Sequence, residues 1–385
     1  MWWQSAGALD RFVIDLVRGE LERLRPGRPA PALTPASRFD PEDVGLDSLE
    51  LLNVATALAE AVQLGRSGLG DSLLARRSVA EWSRICAQGL ERFSDEMVFH
   101  TSGSTGPAKS CAHLLSDLGR EIAVLASIVG APGRILTAVP SHHIYGFLFT
   151  VLLPAHLGLP VTDVRAAGPW ALGRLCVADD LVVGHPAFWA LVCRANQSLP
   201  AITAVSSAGR LDAATEAELT RLGAARVLEI YGSGETAGMG WRQSPDPAFR
   251  LFPYWRRCGD GIESETRAVP VPDRLEWLDD RRFTVVGRLD GGVKVGGTIV
   301  HPERVRARLL EHPQVQDAAV RPAKFGDIWR LKAFIVPTAG HDPATLAEDM
   351  HRFVETSLTA PERPRSFTVG PALPHNAQGK PADWG

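Results

Sequence analysis

Residues 99–110 read FHTSGSTGPAKS, in which Thr101, Ser102, Gly103, Ser104, Thr105 and Gly106 precede Lys109. Small hydroxyl residues and glycines at this density let backbone N–H groups converge on one point, and a cation at the edge completes a cradle for an oxyanion. The stretch is not a P-loop: GxxxxGK needs a glycine directly before the lysine, where Ala108 stands, and the first glycine is wrongly spaced. A second glycine-rich turn, YGSGETAG (residues 231–238), spaces Gly232, Gly234 and Gly238 in a way that misses the dinucleotide fingerprint GxGxxG. It does carry Glu235. A carboxylate beside phosphate loops is the protein ligand that Mg2+ takes together with phosphate and water oxygens. Further on, Lys380 stands in LPHNAQGKPADWG, a polar stretch without periodicity.

The elements around these turns decide whether they can face one another. Over residues 94–287 the apolar runs ILTAVP, DLVVGHP, ITAVSS, RVLEIYG and FTVVG alternate with helical stretches. That alternation predicts an α/β domain with a largely parallel sheet. Ligands of such sheets sit at the carboxyl ends of the strands, and both glycine-rich turns follow strand-like runs. Residues 5–92 read as helices, with Leu9, Phe12, Val13, Leu16, Val17 and Leu21 at helical spacing. Within them, Asp47 and Glu50 make a capping box, and Leu49, Leu52, Thr56 and Ala59 are the expected apolar face. Ser48 falls in the first turn with its hydroxyl toward solvent. Residues 291–385 read as a small α+β unit.

A chain of 385 residues exceeds one compact core and predicts two or three domains. The net charge of −3 gives no basis for a nucleic-acid partner or an anionic membrane surface. No apolar run approaches the roughly 18 residues of a membrane span, and the first residues lack the pattern of a signal peptide. Cys86, Cys111, Cys176, Cys193 and Cys258 are scattered and never form CxxC, as for reduced thiols of a cytoplasmic protein. The histidines show no zinc-ligand spacing.

TSGSTGPAK resembles the phosphate loop of the adenylate-forming (ANL) superfamily, which includes acyl- and aryl-CoA synthetases and peptide-synthetase adenylation domains. Other segments follow in that family's order. PSHHIYGF (residues 140–147) is similar to its P-x-x-H-x-x-G segment, with His143 at the histidine. SSAGRL (206–211) resembles the adenine-side turn, and EIYGSGETAG resembles the Y-G-x-T-E-T-G signature, with Gly234 where threonine is usual. VVGRLDGGVKVGG is similar to the G-R-x-D hinge, which places Arg288 and Asp290. HPERVRARLLEHPQVQDAAV resembles the start of the mobile C-terminal domain, and LPHNAQGK places Lys380 at the family's catalytic lysine. Counting back from Arg288 puts the ribose-binding aspartate at Asp273, in VPVPD rather than the usual Y-R-T-G-D. Arg304 and Arg306 replace acidic residues common after the hinge. Most of the region that precedes the phosphate loop in the family is missing.

The resemblance implies an α/β fold: a trimmed adenylate-forming large domain (93–289) and a small α+β C-terminal domain (290–385). Thr101, Ser102, Gly103, Ser104, Thr105, Gly106 and Lys109 would hold the phosphates of ATP, Glu235 would hold Mg2+, and Thr236 would bond the α-phosphate. Ser207, Gly209, Tyr231, Gly232, Asp273 and Arg288 complete the implied nucleotide site. His143, Ala208 and Ser233 would line a pocket for a small carboxylic acid, and Asp290 would be the hinge. The implied reaction is ATP-dependent formation of an acyl adenylate and its transfer to a thiol. GLDSLELL resembles the D-S-L site of acyl carrier proteins. An all-α carrier-like bundle (1–92) is therefore expected ahead of the large domain, with 4'-phosphopantetheine on Ser48 and an acyl carrier protein as partner, in cis or in trans. ETAGMGWRQ and FPYW are similar to ligases of aryl-polyene and xanthomonadin-type pigment pathways, which implies a small aromatic acid such as a hydroxybenzoate. The alternatives are an acyl- or aryl-CoA ligase and a catalytically weak nucleotide-binding adaptor that presents a carrier domain.

Overall fold

The computed structural model describes residues 1–25, 28–101, 109–259, 261–289, 291–296, 298–326, 328–338, 343–374 and 382–384. The chain divides into two units, and in its C-terminal half the division falls between Gly287 and Arg288.

In the larger unit, β1 (Glu96–Thr101) and β2 (Lys109–Leu114) form an antiparallel hairpin. Five strands run parallel in the spatial order β4, β3, β5, β6, β7: β3 (Ile135–Thr137), β4 (Val161–Asp163), β5 (Leu181–Gly184), β6 (Thr203–Ser206) and β7 (Arg226–Ser233). Every residue of β3 and β5 is buried, as a parallel sheet covered on both faces requires. From β7 the sheet continues through β8 (Ala237–Gln243), which is antiparallel to β7, and then β9 (Phe249–Leu251). The short strands β10 (Arg256–Cys258), β11 (Gly261–Glu263) and β12 (Ala268–Pro270) form a sheet of their own. Strands β13 (Asp273–Trp277) and β14 (Arg282–Arg288) return to the main sheet, with β14 beside β9.

The N-terminal region is helical as expected, with α1 (Ala8–Leu24), α2 (Ser48–Ala61) and a third helix, Val79–Arg92. The boundary expected after residue 92 does not exist. One hydrophobic core joins Phe12 and Val17 of α1, Val54 and Leu58 of α2 and Trp82 of the third helix with Phe99, Phe147 and Phe283. Trp2 and Phe12 meet Phe147 edge-on, with ring centroids 5.1 and 5.6 Å apart. Each such side chain contributes about 1.5–3 kcal/mol by burial. A carrier-like bundle that moves on its own would have to re-expose them all.

The face of α2 is also corrected. Its capping box forms: Asp47 accepts from Leu49 N and Glu50 N at 2.9 and 2.8 Å, and Glu50 accepts from Asp47 N at 3.1 Å. Yet Leu51, Val54, Ala55, Leu58 and Ala61 are the buried stripe, while Leu49 and Leu52 remain 68% and 47% exposed. A helix this rich in Leu and Ala offers two apolar stripes, and packing against α1 and β1 selects one.

The smaller unit is α+β, as expected. β15 (Val293–Val295) and β16 (Thr298–Val300) form a hairpin. β17 (Val315–Phe325) pairs antiparallel with β18 (Ile328–Pro337), which pairs parallel with β19 (Pro364–Val369). The helices Pro302–Leu309 and Pro343–Ser357 accompany these strands, and the core holds Val305, Leu309, Leu331, Ile335, Met350 and Val354. Among the described residues no helix is long and apolar enough to cross a membrane.

Candidate active site

The motif segments leave the carboxyl ends of neighbouring parallel strands, where an open α/β sheet binds ligands. PSHHIYG follows β3, Ser207, Ala208 and Gly209 follow β6, and residues 234–236 follow β7, which ends at Ser233. Tyr145 ties the first segment across the sheet: its hydroxyl donates to Gly184 O at 3.0 Å and lies 3.3 Å from Val205 O. Gly146 is required there because a Cβ would stand 1.8 Å from Pro140 O. His143 is exposed at the start of the short helix that follows, and the ring of half-buried His142 lies 4.0 Å from it. Ala208 holds a left-handed φ of 63° in the adenine-side turn. Just before it, the fully buried Ser206 hydroxyl has no partner among the described residues.

The same segment is anchored from α1. Asp15, buried, accepts from Ser141 N and Ser141 Oγ, both at 2.7 Å, and pairs with Arg165 at 2.5 Å. The N-terminal helix thus holds the loop that carries His143.

The hairpin and the signature turn meet. Lys109 Nζ stands 3.2 Å from Glu235 Oε1. Burial alone would raise the Glu235 carboxyl, but its own N–H, Lys109 and Ser233 together hold it below the ordinary carboxylate value. From β2, His113 Nε2 lies 2.6 Å from Gly234 O. A carbonyl only accepts, so Nε2 carries the proton and Nδ1 faces Arg267 at 3.4 Å. Burial lowers this imidazole to about 4 and keeps it neutral. Arg267 also donates to Glu235 O and Thr236 O, at 3.3 and 2.9 Å.

Behind the turn, fully buried Glu121 accepts from Gly238 N through both oxygens, at 3.0 and 3.1 Å. A Cβ at Gly238 would stand 2.0 Å from Glu121 Oε1, so only glycine fits. Burial raises Glu121 to about 7. Trp255 and Tyr254 donate to Gly238 O at 3.0 and 3.2 Å.

Within the turn, the Thr236 hydroxyl donates to Ala237 O at 2.8 Å and lies 3.1 Å from Ser233 Oγ. Contact with a phosphate would require that proton to swing away. Tyr231, expected in the nucleotide site, packs against Phe249 and Phe283, with centroids 5.5 Å away in both cases. Its hydroxyl donates to Asp273, so the position found by counting does adjoin the signature. Gly232 pairs with Gly238 across β7 and β8. Arg288 ends β14. Ser102, Gly103, Ser104, Thr105, Gly106, Asp290 and Lys380 lie outside the described residues, as does the side chain of Thr101. No cluster of three His, Cys, Asp or Glu side chains suited to a metal occurs among the described residues. A Mg2+ held by one carboxylate and phosphate oxygens needs none.

The family model described as the AMP-binding enzyme C-terminal domain matches residues 305–380. A 4-coumarate–CoA ligase of Halorhodospira halophila is 37% identical over 387 residues, covering 98% of each chain. The chain belongs to the adenylate-forming acid–thiol ligases. A 4-coumarate–CoA ligase of Rhodobacter capsulatus is 36% identical and covers 97% of this ligase and 99% of the relative. In fold, the ligase is similar to the amide bond synthetase McbA of Marinactinospora thermotolerans: TM-score 0.64, 16% identity, with 97% of this chain and 92% of that one covered. Its division at Gly287 and Arg288 falls where the G-R-x-D hinge was read.

Asp15, His113, Glu121 and Arg267 were not found from the sequence. Each is a long-range partner of a motif rather than part of one. A charge at a core-facing helix position, such as Asp15 among Phe12, Val13, Leu16 and Val17, was the one visible signal.

Proposed function

We propose that this ligase activates an aromatic carboxylic acid with ATP and passes the acyl group to the thiol of coenzyme A. The observation that carries this reading is the 3.2 Å pair of Lys109 and Glu235, which joins the phosphate hairpin to the signature turn. The acid and the acceptor follow the near full-length relatives, whose matches take in the N-terminal helices as well.

In the first step a carboxylate oxygen bonds to the α-phosphorus of ATP, the bond to the bridging oxygen breaks, and pyrophosphate leaves. Two anions must meet, so catalysis is positioning plus electrostatic stabilisation. Lys109 offers its ammonium to the phosphates at the hairpin, and Asp273 accepts from the ribose hydroxyls while Tyr231 holds it. Gly146 and Asp15 shape the loop that presents His143 to the acid. Lys380 supplies a second ammonium to the charge that develops. Glu235 is fitted to Mg2+: it is a hard carboxylate oxygen donor kept ionised, and the ion when bound would neutralise phosphate charge. In the second step the thiol sulfur attacks the acyl carbon and AMP leaves.

One observation favours the carrier-protein reading: Ser48 is exposed beside exposed Leu49 and Leu52. Phosphopantetheine on Ser48 would serve a partner's ligase or its own. The tryptophans behind the pigment-pathway resemblance have structural work, Trp241 beneath Arg250 and Trp255 on Gly238. Mass analysis of the thioester product formed with coenzyme A or with holo carrier protein separates the two acceptors. Product on coenzyme A supports our reading, and product on carrier protein alone overturns it.

A further inference from the structure

Three charged side chains are buried together beside the adenine-side turn. Glu229 of β7 and Arg242 of β8 face each other across the antiparallel pair, and Glu216 comes from the helix Ala213–Leu222. Their exposures are 5%, 8% and 5% in that order. Arg242 Nε donates to Glu229 Oε2 at 2.9 Å, and its Nη2 donates to both carboxylates. Nη1 reaches Asp246 O at 3.0 Å. The guanidinium also lies 5.4 Å from the ring centroid of Phe249, the residue that packs on Tyr231.

A buried ion pair is a weak source of stability, because desolvation offsets the attraction. Here two carboxylates share one cation, and what separates them is reach. Glu229 Oε1 accepts from Leu211 N at 3.1 Å, the amide that closes the segment SSAGRL. Leu211 is itself buried, and Asp212 beside it caps the next helix by accepting from Thr215 N at 2.9 Å. At the other end Ser206 closes β6. The turn 207–210 is thus held on both sides, and the Cα of Gly209 stays within about 7 Å of the gripped residue. The Glu216 carboxylate meets Arg242 and, among the described residues, no part of the turn.

We propose that Glu229, oriented by Arg242, is a positioning residue for the nucleotide: through Leu211 N it fixes the backbone of 207–211 and so sets the fit of the base. The proposal rests on the reading of that turn as the adenine side of the ATP site.

The test compares full-length wild type, Glu229→Gln, Arg242→Lys and Glu216→Gln by calorimetric binding of ATP and of GTP with Mg2+. The Glu229→Gln side chain has one accepting oxygen for two donors, so it releases either Leu211 N or Arg242. Arg242→Lys keeps a charge and loses the planar fork that aims Glu229. Each should weaken ATP binding by about 10–100-fold and reduce the preference for ATP over GTP. Glu216→Gln alters the same buried network and should keep the wild-type affinity and preference, whatever its stability in urea. Equal effects of Glu216→Gln and Glu229→Gln would leave the network as structural support alone and overturn the proposal. Wild-type ATP binding by Glu229→Gln, or weakened binding with the preference intact, would overturn it too. Photolabelling of the wild-type chain with 8-azido-ATP checks the turn separately, with label expected on the peptide that carries 207–211. Label only elsewhere would strike the reading of the turn itself, and the positioning role would fall with it.

Discussion

The phenolic oxygen of Tyr231 lies 2.6 Å from Asp273 Oδ2 and joins the signature strand β7 to β13. Asp273 is itself buried, at 8% exposure, so the bond holds a carboxylate in place at the position read for the ribose. Hydrogen bonds to charged groups contribute about 1.5–3 kcal/mol. Tyr231→Phe should therefore lower kcat/KM for ATP by about 10–100-fold, with KM for the acid little changed at saturating ATP. Steady-state kinetics with ATP varied checks this, and unchanged ATP kinetics would reduce the tyrosine to a packing residue.

Asp15 ties the N-terminal helix to the loop that carries His143. Removing one partner of a buried ion pair costs about 3–5 kcal/mol, and Asp15→Ala strips Arg165 and both Ser141 donors at once. The variant should be less stable in urea, and among molecules that remain folded KM for the acid should rise more than KM for ATP. A loss of stability with an unchanged acid KM would separate α1 from the pocket.

Glu121 predicts a pH dependence of stability. Its folded value, about 7, lies above the ordinary 4.5. Between these values the folded protein keeps a proton that the unfolded chain has lost, so this group's contribution falls as pH rises through that window. His113 acts in the opposite sense, since its folded value of about 4 makes its contribution fall as pH drops below 6.5. Urea unfolding of Glu121→Gln beside wild type isolates the first effect. Glutamine should gain relative stability between pH 5 and pH 8, and a constant difference would contradict the burial argument.

Ser48 is separable from the ligase chemistry under the coenzyme A reading. Ser48→Ala should form coenzyme A thioester at the wild-type rate, and treatment with a phosphopantetheinyl transferase should add no mass to the wild-type chain. Deleting residues 1–92 should leave an insoluble remainder, because Phe147 and Phe99 would lose their cover. A soluble, active remainder would restore the boundary that the shared core removes.

The parts of the site legible in the sequence are those whose chemistry is local. Glu235 in its turn and the P-x-x-H-x-x-G segment stand out because their residue types recur at short spacing, while the glycines and hydroxyls of 102–106 lie outside the described residues. The α/β alternation was legible for the same reason, and the division between Gly287 and Arg288 falls within the segment VVGRLDGG. The stripe that α2 buries was not, since Leu and Ala populate two stripes and only the neighbour decides. Nor were the supports: Asp15 reaches Ser141 across 126 residues, and His113 reaches Gly234 across 121. Contacts at that range leave no spacing to read. The missing domain boundary belongs with them, since helices of a separate bundle and helices that plug a sheet show the same periodicity.

The most direct measurement is acid-dependent pyrophosphate release from ATP and Mg2+, across a panel of aromatic and fatty acids, by wild type, Glu235→Gln and Lys380→Ala. We predict release by wild type with one or more aromatic acids, an acyl adenylate detectable by mass, and losses of about 100-fold or more in each variant. Release by both variants at the wild-type rate, or a wild-type chain that binds ATP and releases no pyrophosphate with any acid, would contradict the account.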